Sequence, residues 1–409
     1  MHIISTCDKQ MNKRSANSPV WGTLTGIRPS KIVEKIMESG DSKISAANKL
    51  IQKFHVSPDR AKLCADIAQS SLHLKSSLEP HDISLYIGIP FCPSRCIYCS
   101  FVSNSVEKSF NLIEPYVNLL LSEISETAKL VKKLGLNIIS VYIGGGTPTI
   151  LSAQQLETIM QALSAEFDLS NLREYTLEAG RPDTISTDKL SIIKQMGATR
   201  ICINPQTMSD DVLTAIGRKH TRANIIEATQ LAKNTDLALN MDIITGLPTD
   251  TPDGFRETLN AVLDLKPENI TIHTLSQKKG SRLSLEDISI PGADDVEKML
   301  NNASETLTSY NYNPYYLYRL KFTSGGFENI GWSLPRFEGL YNKLMMEDIG
   351  TVIGMGAGSV SKLVLPNGRI ERIFNTKFPR EYILQSSKID DKIEKIKTYI
   401  SGSTASPLT

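Results

Sequence analysis

The sequence predicts an α/β protein built on a parallel sheet wound as a partial or full (β/α) barrel. Three observations predict it. Six short apolar runs, each followed by a helix-like or loop-like stretch, occupy residues 84 to about 275 of the 409-residue chain. Their order is repetitive and shows no break into two mononucleotide-binding halves, which places the barrel ahead of a doubly wound open sheet, although alternation alone cannot separate the two. Finally, 40% hydrophobic and 22% charged residues is ordinary globular usage, with enough apolar material for a sizeable core.

Residues 1–82 read as a small N-terminal helical region. Apolar spacing predicts helices over Lys31–Ser39, Ala46–Phe54 and Pro58–Leu74, punctuated by Gly26, Pro29, Gly40 and Pro58. Residues 83–280 are expected to form the barrel core. Its strands fall at Ser84–Ile89, Ile138–Ile143, Glu174–Glu178, Arg200–Asn204, Ala238–Ile244 and Asn269–His273. Its helices fall at Ser109–Leu134, Ala153–Phe167, Thr187–Met196, Ser209–Ile216 with Arg222–Lys233, and Asp253–Leu265. Residues 281–409 are expected to form an α+β extension that covers the substrate. There SRLSLEDISIPG reads as a loop and Asp294–Tyr310 as a helix, followed by a Tyr-rich piece. TVIGMGAGSVSKLVLPNGRIERIFN reads as strand, Gly-rich loop and hairpin, with Asn367-Gly368 as its turn.

Composition narrows the function. Lys plus Arg is 45 and Asp plus Glu is 44, so the chain has no electrostatic footprint for bulk nucleic-acid binding. No run reaches the ~18 consecutive apolar residues of a membrane span, and the first twenty residues lack a signal-peptide core. A cytoplasmic protein is expected. Six cysteines in 409 residues is not a disulfide framework.

Three of those six lie within eight residues. The segment Tyr86-Ile-Gly-Ile-Pro-Phe-Cys92-Pro-Ser-Arg-Cys96-Ile-Tyr-Cys99 has the spacing CxxxCxxC and follows the first predicted strand. Soft thiolates gathered on a short loop suit zinc or an iron–sulfur cluster. A structural zinc site wants four ligands, and no second Cys pair is present. A [4Fe–4S] cluster normally takes four Cys, so three leave one iron open to another ligand. Cys7, Cys64 and Cys202 are the candidates for a closed fourth position. Cys202 alternates in an apolar strand and Cys64 sits on a helical face, as core thiols do.

Further motifs fall at predicted strand ends. Gly144-Gly145-Gly146-Thr147-Pro148 follows the second strand, where glycines let backbone approach a ligand or simply make a tight turn. It is not a phosphate loop, because GxxxxGK[ST] is absent. Glu178, at the end of the third strand, reads as a carboxylate on a barrel rim, the usual place for site residues. Gln206 and Asp242 end the fourth and fifth strands, and Arg218 follows twelve residues after Gln206. Each taken singly is equally a local turn residue. Gly354–Ser359 is not a dinucleotide loop, since GxGxxG requires glycine where Ser359 stands.

CxxxCxxC after a first strand resembles the radical S-adenosylmethionine (SAM) superfamily. That resemblance implies a partial (β/α)6 radical SAM barrel, with Cys92, Cys96 and Cys99 holding a [4Fe–4S] cluster whose open iron is chelated by SAM. One electron then cleaves SAM to a 5′-deoxyadenosyl radical. The GGGTP element, Gly144, Gly145, Gly146 and Thr147, is similar to the one that contacts the SAM amino group. Glu178 matches a SAM-bonding Glu, and Tyr98 an aromatic near the adenine. Tyr86, Gln206, Arg218, Asp242 and Ile244 resemble SAM-pocket residues of the oxygen-independent coproporphyrinogen III dehydrogenase branch. GxGAxS at Gly354–Ser359 and WGTLTGIRPSKI near the N-terminus belong to the same resemblance, which spans residues 21 to about 375. Better-known members read YIHIPFC, and this chain has Gly88 in place of that His.

The function so implied is oxidative decarboxylation of coproporphyrinogen III to protoporphyrinogen IX in anaerobic haem biosynthesis. It calls for an anionic tetrapyrrole substrate and a reduced flavodoxin or ferredoxin-type electron donor, with no nucleic acid and no membrane. Arg28, Arg181, Arg319, Lys321 and Arg336 are candidates to meet the propionates. Two alternatives remain: a related enzyme that opens haem while transferring a methyl group, and a haem-binding relative without catalysis.

Overall fold

The computed structural model describes residues 19–404 except 27, 100–103, 106–108, 278–280, 287 and 366–367. Cys7, Asn367 of the expected hairpin turn, and the last five residues lie outside the described residues.

The six expected strands all form, each one to three residues longer than the apolar run: β1 Asp82–Ile89, β2 Asn137–Gly145, β3 Glu174–Gly180, β4 Arg200–Gln206, β5 Ala238–Thr245 and β6 Asn269–Thr274. They pair in parallel in chain order. After α1 (Ser30–Glu38), α2 (Lys43–Phe54) and α3 (Pro58–Lys75) come the barrel helices α4 (Ile113–Lys133), α5 (Ala153–Glu166), α6 (Thr187–Gln195), α7 (Asp210–Ala215), α8 (Arg222–Lys233) and α9 (Pro252–Asp264). From α5 to α9 each begins behind a Ser or Thr whose side chain accepts a backbone N–H of the first turn: Ser152, Ser186, Ser209, Thr221 and Thr251. Local chemistry therefore sets where each helix starts.

Strand register sorts side chains by face. Ile83, Leu85, Ile87, Val141, Ile143, Leu177, Ile201, Leu239, Met241, Ile270 and Ile272 are buried in the main apolar core. The opposite, inner face carries Ser84, Tyr86, Ser140, Tyr142, Thr176, Glu178, Cys202, Asn240, Asp242, Thr271 and His273. Parallel strands covered by apolar layers on both faces read as continuous hydrophobic runs. These alternate, because one face is a polar interior.

The C-terminal stretch extends both edges of this sheet. It adds α10 (Arg282–Leu285), α11 (Ala293–Ser309), β7 (Asn313–Arg319), β8 (Glu328–Ser333), α12 (Leu340–Met346), β9 (Thr351–Met355), β10 (Val360–Val364), β11 (Ile370–Phe374), α13 (Pro379–Leu384) and α14 (Ser387–Thr404). The eleven strands run β11-β10-β9-β1-β2-β3-β4-β5-β6-β8-β7. β9 lies parallel to β1, while β8 and β7 add antiparallel beyond β6. Two expectations are corrected. SRLSLEDISIPG is not all loop: Ser281 caps one helical turn, Arg282–Leu285. Residues 328–333, given no element by the sequence, form β8, whose Gly331 and Glu328 hide any apolar pattern.

One apolar core runs from Trp21 to Ile396. The N-terminal helices are pinned to the C-terminal stretch by buried polar contacts. Trp21 Nε1 donates to Glu328 Oε2 at 2.7 Å, Arg60 Nε pairs with Glu328 Oε1 at 2.7 Å, and Ser30 Oγ donates to Glu347 Oε2 at 2.7 Å. No helix among the described residues is long and apolar enough to cross a membrane.

Candidate active site

The C-terminal end of β1 leads directly into the cysteine loop. Phe91–Cys92 forms a two-residue parallel bridge with Asn104–Ser105, and the Cys99 N–H donates to the Cys96 carbonyl at 3.1 Å. Two distant segments clamp the middle of the loop. The Ile97 N–H donates to the Ile216 carbonyl at 3.2 Å, and the Leu283 N–H donates to the Ile97 carbonyl at 3.0 Å. Cys96 is buried, and Cys92 and Cys99 are half-buried. None of the three is in a disulfide. Among the described residues no three His, Cys, Asp or Glu side chains are drawn close enough to hold a metal as they stand. Of the other thiols, Cys64 is built into α3 and Cys202 into β4, both buried. Burial pushes both thiols well up, as for inert core cysteines.

The Gly strip lies against this loop. Gly146 N–H donates to the Ile89 carbonyl and Thr147 N–H to the Phe91 carbonyl, each at 2.8 Å. Thr147 Oγ1 is 3.6 Å from Cys92 Sγ. A Cβ at Gly146 would come within 2.5 Å of the Phe91 carbonyl oxygen and 2.9 Å of Cys92 Sγ, so only glycine lets the two segments touch.

Glu178 faces the same strip from β3. Tyr142 donates its hydroxyl to Glu178 Oε1 at 2.5 Å, and the Gly145 N–H donates to Oε2 at 3.3 Å. Burial pushes the carboxyl up to about 7, with Asp242 adding to the rise, and these two hydrogen bonds only partly offset it. Among the described residues no Lys or Arg pairs with it. A cationic ligand would complete this arrangement. Tyr86, Tyr142 and Tyr341 stack beside it as an aromatic wall, with centroids 4.3–6.2 Å apart.

The remaining expected residues divide into two groups. Asp242 accepts from Asn240 Nδ2 at 2.8 Å and sits 3.5 Å from His273 Nε2. Burial works against its charge, but His273 and Asn240 hold the carboxyl below its usual range. Ile244 is buried next to His273 in register, and Gln206 is buried at a register irregularity with φ of +69°. Arg218 is buried, its Nη1 donates to the Asn204 carbonyl at 2.6 Å, and the preceding Ile216 carbonyl accepts from the Ile97 N–H of the cysteine loop.

Sequence reasoning missed Tyr142, His273 and Tyr341. The polar–apolar alternation within β2 and β6 was the available signal for the first two. Tyr341, on α12, had none. Among the arginine candidates, Arg28 pairs with Asp348 at 2.6 Å and Arg181 with Asp183 at 3.1 Å. Arg319 donates to the Leu24 and Gly326 carbonyls and covers Trp21. These three each have partners within the chain. Lys321 and Arg336 are exposed.

Comparison with known proteins follows the same geography. The pattern of the Radical SAM superfamily matches residues 86–262. The oxygen-independent coproporphyrinogen-III oxidase-like protein HemZ of Bacillus subtilis is 36% identical over 384 residues, covering 92% of this chain and 76% of that one. The heme chaperone HemW of Haemophilus influenzae is 28% identical, covering 74% of this chain and 76% of its own. Among solved structures, coproporphyrinogen III oxidase (HemN) of Escherichia coli superposes with a TM-score of 0.62 at 21% identity, over 78% of this chain and 72% of that one. That likeness establishes the shared fold.

Proposed function

The chain belongs to the radical SAM superfamily, and from that premise we propose that it decarboxylates coproporphyrinogen III to protoporphyrinogen IX without oxygen. The observation that carries this reading is the meeting of three elements at one sheet end: the three-cysteine loop, the Gly144–Thr147 strip, and Glu178, a half-buried carboxylate with no Lys or Arg partner among the described residues. The similarity to HemZ over nearly the whole chain supports the substrate.

When bound, a [4Fe–4S] cluster on Cys92, Cys96 and Cys99 together with SAM supplies hydrogen-atom abstraction started by one electron from a reduced flavodoxin or ferredoxin-type donor. Glu178 and Asp242 offer negative charge to the cationic cofactor from the inner wall. Glycines at 144–146 keep that wall thin enough for close approach. The Tyr86–Tyr142–Tyr341 stack lies beside Glu178 and would present an apolar face to the cofactor. At the substrate, each of two propionates would lose a β-hydrogen atom, one electron and carbon dioxide, leaving a vinyl group.

A second reading is favoured by the HemW similarity: a haem-binding carrier on the same barrel. Anaerobic reconstitution, then SAM, dithionite and coproporphyrinogen III with mass-spectrometric detection, separates them. Two decarboxylations with deoxyadenosine support the enzyme. Tight haem binding without SAM cleavage supports the carrier. Deoxyadenosine with intact coproporphyrinogen keeps the radical chemistry and overturns the substrate.

A further inference from the structure

Residues 337–341 are tied to the N-terminal ends of the barrel strands, the end opposite the cysteine loop. The Phe337 carbonyl accepts from Arg200 Nη2 at 2.9 Å and from Asn269 Nδ2 at 2.6 Å, the first residues of β4 and β6. Glu174, the first residue of β3, accepts the Leu340 N–H at 2.8 Å and the Tyr341 N–H at 3.0 Å. At its other end α12 is held by buried Lys362, whose Nζ donates to the Leu344 and Met345 carbonyls at 2.7 and 3.1 Å. Thus α12 sits across the N-terminal mouth of the barrel, and its Tyr341 reaches the inner face.

Inside, Tyr341 stacks on Tyr142 with ring centroids 4.3 Å apart and planes 24° apart. With Val352 the two rings form a small cluster separate from the main core. The Tyr142 hydroxyl donates to Glu178 Oε1 at 2.5 Å, while the Gly145 N–H donates to Oε2 at 3.3 Å. A Cβ at Gly144 would come within 2.7 Å of the Tyr142 ring and 3.1 Å of the Glu178 carboxyl, so glycine there makes room for the pair. Both carboxylate oxygens are held by neutral donors. The side chain is oriented, yet its negative charge is not cancelled.

We propose that Tyr142 is a positioning residue of the cofactor site: its hydroxyl, steadied by the Tyr341 ring that α12 brings through the opposite mouth of the barrel, fixes the Glu178 carboxylate for a cationic partner. The inference rests on the reading that Glu178 meets the SAM cation. A hydroxyl donating to a carboxylate favours its charged form, so Tyr142 works against the burial that pushes Glu178 up to about 7. Asp242 on β5 adds to that rise, and the charge of His273 on β6 opposes it. Burial pushes Tyr86, Tyr341 and Cys202 well up, so these neighbours stay neutral. None of them is altered when only the Tyr142 hydroxyl is removed.

The test is an infrared pH titration of the anaerobically reconstituted full chain without SAM, with SAM affinity measured in parallel. The band of the protonated Glu178 carboxyl is the one missing in Glu178→Gln. Its midpoint is expected at about 7 in wild type and about one pH unit higher in Tyr142→Phe. Less of the carboxylate is then ionised, so SAM affinity at about pH 7 falls about fivefold. Tyr341→Ala, which frees the Tyr142 ring, moves both readouts in the same direction, and Tyr341→Phe, which keeps the stack, moves them less. A midpoint within about 0.3 units of wild type in Tyr142→Phe overturns the proposal, because a merely structural tyrosine lowers Tm without moving that titration. A shifted midpoint with unchanged SAM affinity overturns it too, and equal shifts in Tyr341→Ala and Tyr341→Phe overturn the part given to the stacked ring. If Tyr341→Ala fails to fold, Tyr142→Phe decides alone. If wild type binds no SAM, or Glu178→Gln binds it as tightly as wild type, the reading of Glu178 as a cofactor partner fails instead.

Discussion

Glu178 is the residue whose chemistry is most exposed to test. Its carboxyl is pushed from 4.5 up to about 7 by burial, so the folded chain keeps a proton that the unfolded chain releases near 4.5. Folding stability from this group is therefore present at low pH and is lost as pH rises through the window from about 4.5 to about 7. Above it, the buried charge costs at most about 3 kcal/mol, less because the side chain is only half-buried. Glu178→Gln is expected to raise Tm at pH 8 and leave it nearly unchanged at pH 4. The same change weakens SAM binding tenfold or more. In wild type, SAM affinity is expected to rise between pH 6 and 8 as the carboxylate ionises, and the slope should vanish in Glu178→Gln. A wild-type affinity that is flat across this range removes Glu178 from the cofactor's partners.

At the scale of elements, the meeting of the Gly strip with the cysteine loop is the contact that matters. Gly146→Ala puts a methyl against a backbone carbonyl at 2.5 Å and against Cys92 Sγ at 2.9 Å. Backbone cannot swing aside as a flexible side chain would, so the loop itself must move. Reconstituted iron per chain is expected to fall by half or more while far-ultraviolet circular dichroism stays that of wild type. Full iron in Gly146→Ala would show that loop and strip need not touch. Cys92→Ala is expected to abolish cluster binding altogether. Retained iron and SAM cleavage would refute the ligand assignment.

Across the whole molecule, the barrel depends on its C-terminal stretch. Glu123, fully buried on α4, accepts from the Gly356 N–H at 2.7 Å, Asn375 Nδ2 at 2.8 Å and the Tyr382 hydroxyl at 2.6 Å. Lys392 of α14 pairs with it and also donates to the Gly354 carbonyl at 2.8 Å. One carboxylate thus joins a barrel helix, the Gly354–Ser359 loop beside β1, and the last two helices. Lys392→Met leaves the Glu123 charge without its cation, a change worth about 3–5 kcal/mol. Urea denaturation should record that loss, and a cost under about 1 kcal/mol would mean that the hydrogen bonds alone carry the charge. Gly356 itself has φ of +87° and packs on the Gly88 carbonyl, which places Gly88 under the loop and leaves little room there for a larger residue.

The sequence by itself determined the elements and the chemistry held in single segments. Strand and helix positions came from apolar runs and apolar spacing, and the CxxxCxxC loop and Gly strip from the spacing of their residues, because each is written in consecutive residues. What only the tertiary structure decided are relations between residues far apart in the chain. That β9 would lie beside β1, that Tyr341 would complete a stack with Tyr86 and Tyr142, and that Ile216 would hold the cysteine loop at Ile97 all depend on which segments pack together. Glu178 was legible as a rim carboxylate, but its raised ionisation was not. That arises from burial and from the neighbouring Asp242 charge, and no local pattern encodes either one.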